Sequence, residues 1–311
     1  MSTVAQDTPL DAAEAPSAAA RKTRPFLWSV RRELWENRSI FVAPAITAAI
    51  VLLGMLVGAV NVPRHVVISG VTTLNSSDRE MAVQIPFYFA TAIILVASFV
   101  VGFFYCLGAL YGERRDRTIL FWKSLPVSDL TAVLAKATVA LVVLPLVTYV
   151  VILVTHLVLL LASTLILPAN GLPAMLFWQQ VPLLRTWGVL LVVLACLSLW
   201  NAPIWGWLFL VSGWARRVTF LWAVGPPIAL DIFERLAFHT HYVGELINYR
   251  LQGGLGELFD TKLDTRGQMT IDPDHLDLAR FFSTPGLWIG LVAAAALFAV
   301  VVWQRRYRSP L

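Results

Sequence analysis

Few side chains in the apolar stretches of this sequence carry chemistry, and they fall into three groups. His156 is flanked at sevens by Tyr149 and Ser163, with Thr148 and Thr155 alongside. Seven residues are about two helical turns, so the set forms a polar stripe on one helix face. An imidazole among hydroxyls is the raw material of acid–base chemistry. No paired acid or nucleophile spacing accompanies His156, however, and the stripe reads as path lining or as hydrogen bonding between packed helices. The second group is His239, His241 and "DPDHLD" (272–277). Imidazoles and carboxylates suit a metal, but a solvated acidic loop needs the same residues, and no metal is expected. The third group is "YGERRDRTILFWKSLP" (111–126), which sets six charged side chains between two apolar walls.

The elements that must position these groups follow from composition. Apolar residues make up 58% of the 311 positions and charged residues 14%. A soluble domain carries about a quarter charged residues, so a lipid-embedded chain is the first expectation. Cys106 and Cys196 both lie in apolar runs and form neither a disulfide framework nor a Cys-rich metal site. Residues 1–23, rich in Ala, Pro, Ser and Thr, read as a disordered tail. The first apolar run is too long for a secretory signal and has no small-residue cleavage site after it.

About 20 apolar residues cross the roughly 30 Å hydrocarbon core as a helix. Stretches 40–60, 86–110, 137–161, 186–212 and 287–303 meet this requirement. A further stretch, 218–238, is interrupted by Gly225-Pro226-Pro227 and reads as a broken sixth span in which Asp231 and Arg235 pair at i,i+4. The predicted fold is all-α, with six transmembrane helices across a domain at 24–311 and a helical outer segment at 239–284. With both termini inside, sixteen of the twenty-four basic residues fall on inner segments. The positive-inside rule favours this arrangement over five spans, which would put "RRYR" outside.

Two inner blocks stand out. In "RPFLWSVRRELWENRSIF" (24–41), Phe26, Val30 and Leu34 recur at helical spacing beside Arg31, with Trp28 and Trp35 suited to a headgroup boundary. This predicts an amphipathic helix on the inner leaflet. In the segment 111–128, Glu113 and Arg117 are at i,i+4, Leu125-Pro126 stops the helix, and Ser128 caps the next one with Asp129 in its first turn. Phe121 and Trp122 add apolar side chains to the charges, as contact surfaces do.

The stretch "GERRDRTILFWKSLPVSDLTAVLAK" (112–136) resembles the segment between spans two and three of ABC-2 type permeases, the membrane subunits of one class of ATP-binding-cassette exporters. Glu113, Thr118, Leu125-Pro126 and Lys136 match that pattern in order and spacing, and "VSGWARRVTFLWAVGPPIAL" (211–230) resembles the family's inner turn between spans four and five. The resemblance implies a coupling helix built from Glu113, Arg114, Arg115, Asp116, Arg117, Thr118, Trp122, Lys123 and Pro126, docked on a separate ATPase subunit that binds ATP-Mg. It also implies a second permease subunit, homo- or heterodimeric, and a location in the cell membrane, the bacterial inner membrane in particular, with both termini cytoplasmic.

The chain has no G-x-x-x-x-G-K-[ST], hence no phosphate cradle of its own. No carboxylate or lysine lies mid-span, as an ion-coupled carrier would require. The expected chain is therefore no enzyme and binds no nucleic acid; its surroundings are the bilayer and its protein partners. The competing readings are a polytopic membrane enzyme centred on His156 and a non-transporting membrane anchor or assembly factor.

Overall fold

The computed structural model describes residues 24–61, 76–116, 127–169, 173–263 and 269–307. The expected tail at 1–23 and the coupling residues Arg117, Thr118, Trp122, Lys123 and Pro126 lie outside the described residues.

The chain opens with α1 (Pro25–Glu36), whose proline sits in the first turn, where no backbone donor is needed. Asn37 ends it, both its backbone N–H and its Nδ2 donating to the Glu33 carbonyl. Next come α2 (Ser39–Asn61), α3 (Ser76–Ala109) and the short α4 (Tyr111–Arg115). α5 (Asp129–Thr138), a π-turn at Val139–Val143 and α6 (Leu144–Ala169) form one continuous helix. Ser128 caps it, its Oγ accepting from Thr131 N at 3.1 Å. Pro145 lacks an N–H, and its ring would crowd the Leu141 carbonyl in a regular helix. The widened turn, with Leu144 N bonding back to Val139 O, relieves that clash.

After α7 (Leu176–Gln180) the chain runs through α8 (Leu183–Trp200) and α9 (Ala202–Trp214), which meet in a bend at Asn201 with Pro203 in the first turn of α9. Then follow α10 (Thr219–Phe238) and α11 (Tyr242–Leu258), an antiparallel hairpin of β1 (Phe259–Leu263) and β2 (Met269–Leu276), α12 (Leu278–Ser283) and α13 (Pro285–Tyr307). The bundle itself is all-helical, and the hairpin belongs to the segment between α10 and α13.

Among the described residues five helical stretches are long and apolar enough to cross a membrane: Ser39–Gly58, Val83–Arg115, Asp129–Ala169, Leu183–Trp200 and Pro285–Tyr307. Ile46, Ile50, Leu53 and Val57 of α2 are each more than half exposed. A chain that turns such faces outward and Thr148, Thr155, His156 and the Lys136–Glu33 pair inward is built for lipid. It is a multi-pass membrane protein.

α10 is 20 residues long, but every 18-residue stretch of it contains Asp231, Glu234 and Arg235. Its expected break is absent: the helix runs on through Pro226 and Pro227. Pro227 cannot donate to the Ala223 carbonyl, and Trp207 Nε1 of α9 donates to that carbonyl instead, at 3.0 Å. A tertiary donor replaces the bond that the sequence removes. Asp231 and Arg235 do pair, at 3.0 Å. Glu234 then receives Tyr242 N at 2.8 Å, Val243 N at 2.7 Å and Thr240 Oγ1 at 2.6 Å, so a carboxylate of α10 caps the start of α11.

α9 and α13 run side by side in the same direction. Gly206 faces Ala294 and Leu297, and Gly213, seven residues on, faces Gln304, seven beyond Leu297. A Cβ at Gly206 would come within 3.2 Å of Leu297 Cβ, and one at Gly213 would displace the Gln304 amide, so both positions lie where the two helices approach closely. α11 leans on the bend between α8 and α9: Trp200 Nε1 donates to Arg250 O at 3.1 Å, and Arg250 lies 5.0 Å over the Trp200 ring.

Candidate functional site: a buried charge cluster at one end of the bundle

The charges that the sequence places in separate segments converge at one end of the bundle. Lys136 on α5 is 2% exposed and sits between two carboxylates, 2.7 Å from Glu33 Oε1 of α1 and 3.1 Å from Glu113 Oε1 of α4. Arg305, near the end of α13, pairs with Glu113 Oε2 and, through Nε, with Asp129 Oδ1 at 3.1 Å. Arg32 closes the set against Glu33 (2.7 Å), Glu113 (3.4 Å) and Glu36 (3.3 Å). The Tyr105 hydroxyl lies 3.4 Å from both Glu33 Oε2 and the Lys136 carbonyl. Burial holds the Glu36 carboxyl above its ordinary range even with Arg32 beside it. Four helical stretches are tied together: α1, the end of α3–α4, the start of α5 and the end of α13.

Isolated buried charges are costly, and a cluster like this one is tolerable only when nearly every charge is matched. The matching here is dense, and the cost of removing one member falls on those left behind.

A second weld lies beside it. Ser212 of α9 is fully buried and accepts from Leu110 N and Tyr111 N, both at 3.0 Å, where α3 breaks into α4. Arg114 returns the favour, donating to Ser212 O at 3.0 Å and to Ala215 O, which caps the carbonyl end of α9. The ends of α4 and α9 are therefore at the same level of the bundle.

The expected coupling residues divide accordingly. Glu113 and Arg114 face inward and are buried, whereas Arg115 and Asp116 are exposed and pair with each other at 3.0 Å. Among the described members only Arg115 and Asp116 present a surface. On α1, Val30 and Leu34 pack against the core, while Phe26 and Arg31 are exposed. The most buried residue of α1 is Glu33, seven residues after Phe26 and so at the edge of the helix's apolar face, where its charge alone marks it as polar. Glu33 and Arg305 are among the site residues the sequence reasoning missed, with Arg32, Glu36 and Tyr105. The signal for Glu33 was an unmatched Lys136 at the edge of an apolar span, which needs a carboxylate from somewhere.

His156 belongs to a different place. Its Nδ1 accepts from Trp187 Nε1 of α8 at 3.3 Å, and its Nε2 lies 3.0 Å from Thr91 Oγ1 and 3.4 Å from Phe87 O on α3. An indole nitrogen only donates, so Nδ1 is the acceptor and the neutral ring carries its proton on Nε2. Both nitrogens serve to join three helices. Thr148, Thr155 and Ser163 hydrogen-bond to carbonyls of their own helix, and Tyr149 packs against the apolar cluster around Ile94 and Ile152. Of this stripe, His156 carries the hydrogen bonds that reach α3 and α8. His239 and His241 are not brought together with other ligands: among the described residues no group of three or more His, Cys, Asp or Glu side chains is arranged to hold a metal.

No protein-family model, no curated protein and no solved structure matches this chain.

Proposed function

We propose that this chain is the membrane-spanning permease subunit of an ABC-2 type exporter, crossing the cell membrane six times and coupled through its 111–128 segment to a separate ATPase subunit. The ATP-Mg is bound by that subunit, and a second permease subunit completes the translocation path.

The parallel course of α9 and α13 supports six crossings. Ala215, at the end of α9, is tied to Arg114, and Arg305, at the end of α13, is tied to Glu113. Both helices end on the side where α4 ends, so the chain between them must return across the bilayer once before α13 begins. α10, at 20 residues or about 30 Å, is long enough for that return. The positive-inside rule makes the shared end cytoplasmic, together with both termini.

The observation that carries the functional reading is the charge cluster of Glu33, Glu113, Lys136 and Arg305. It lies at the root of the charged segment and binds four helical stretches into one block. A push on that segment is delivered to all of them together, as a coupling element requires. Co-purification tests the reading directly. The tagged chain should recover a nucleotide-binding subunit from its native membrane, and a folded chain that recovers none would contradict it.

A further inference from the structure

Between α1, the start of α5 and the end of α13 lies a cavity of about 320 Å³ that the charge cluster backs and the coupling account does not use. Trp28, Arg31 and Trp35 form its rim, and Arg32, Arg305 and Asp129 line its floor. Three guanidiniums face one carboxylate, and that carboxylate is already held by Arg305 at 3.1 Å. Arg32 and Arg305 are ion-paired on their inner sides. Arg31 has no ion-pair partner among the described residues; its guanidinium lies over the Trp28 ring at 5.5 Å and the Trp35 ring at 4.7 Å.

We propose that this cleft is a binding site for the phosphate headgroup of an acidic phospholipid drawn from the adjoining leaflet. Three observations select that occupant. The volume is at the small end of ligand cavities, enough for a headgroup and too small for a docked helix. The indoles of Trp28 and Trp35 are 61% and 63% exposed, an arrangement that suits the headgroup layer, where an indole meets both apolar and polar surroundings. Only two residues separate α1 from α2, the first membrane helix, so the cleft opens at the membrane boundary. A phosphodiester there would accept hydrogen bonds from Arg31 at the rim, above a floor whose own arginines are already paired with carboxylates. The proposal rests on the membrane-spanning character of the chain alone and stands or falls separately from ATPase coupling.

The test uses the full chain in nanodiscs of equal parts phosphatidylcholine and phosphatidylglycerol, with retained lipid counted by native mass spectrometry. The wild type should keep phosphatidylglycerol in preference to phosphatidylcholine, and excess inorganic phosphate should not displace it. Arg31→Gln should lower phosphatidylglycerol retention at least about tenfold, the loss of a hydrogen bond between charged groups. Arg38→Gln, an equal change of charge outside the cleft, should leave retention unchanged. Equal losses in the two variants would reduce the effect to diffuse attraction and overturn the proposal. Displacement by inorganic phosphate would assign the cleft to a soluble anion. Retention indifferent to headgroup charge, with Arg31 shielded from an arginine reagent only when a second polypeptide is added, would assign it to a protein. Either result would also overturn the proposal.

Discussion

Lys136 Nζ lies 2.7 Å from Glu33 Oε1 across 103 residues of sequence, and each of the two side chains is 2% exposed. This pair joins α1, the helix that precedes the first membrane helix, to the start of the Asp129–Ala169 helix. Lys136→Met leaves Glu33 and Glu113 with only Arg32 as a shared cation. The expected loss of stability is about 3–5 kcal/mol, typical of breaking a buried pair from one side. A reversible denaturation curve of the purified protein measures it. Adding Glu33→Gln should recover part of the loss; a single variant as stable as the wild type would remove the cluster from the account.

Glu113 and Arg115 are two residues apart and predict opposite phenotypes. Glu113 contacts Lys136, Arg32 and Arg305, so Glu113→Ala should lower both stability and yield. Its effect on coupling cannot then be separated from folding. Arg115 is exposed, so Arg115→Glu should leave the denaturation midpoint where it is and reduce recovery of the ATPase subunit. A charge reversal that changes neither would reject the role of the 111–128 segment as a docking surface.

His156→Ala should behave as a packing mutation. It strands Trp187 Nε1 and Thr91 Oγ1 inside the bundle, at a cost of about 1–3 kcal/mol. His156→Gln, which can still offer a donor and an acceptor, should lose less. If instead both variants abolished a measurable reaction of the isolated chain at unchanged stability, the membrane-enzyme reading would gain the ground that the packing role now occupies.

The parts of the fold that were legible in the sequence are those set by solvent. A bilayer requires long apolar runs, and α2, the α3 run, α6 and α13 answer to that requirement alone. The Ser128 cap and the bend at Asn201 were legible for a similar reason, since both are local backbone chemistry. What failed was everything that depends on a distant partner. Gly225-Pro226-Pro227 reads as a break because the donor that rescues the helix, Trp207, lies on another element. Glu33 and Arg114 read as surface charges because their partners are 103 and about a hundred residues away. The hairpin at 259–276 replaces part of a segment expected to be helical. Its alternation was short, and polar residues fill both strands, so no period stood out.

The six-crossing account places Arg115 and His241 on opposite sides of the membrane, and it is tested most directly by single engineered cysteines at these two positions. Cys106 and Cys196 are buried, so neither adds to surface labelling. An impermeant thiol reagent applied to intact cells should label the His241→Cys protein, and should label the Arg115→Cys protein only after the cells are opened. Labelling of both positions from outside, or of Arg115→Cys alone, would contradict the return crossing by α10 and the inner placement of the charge cluster with it.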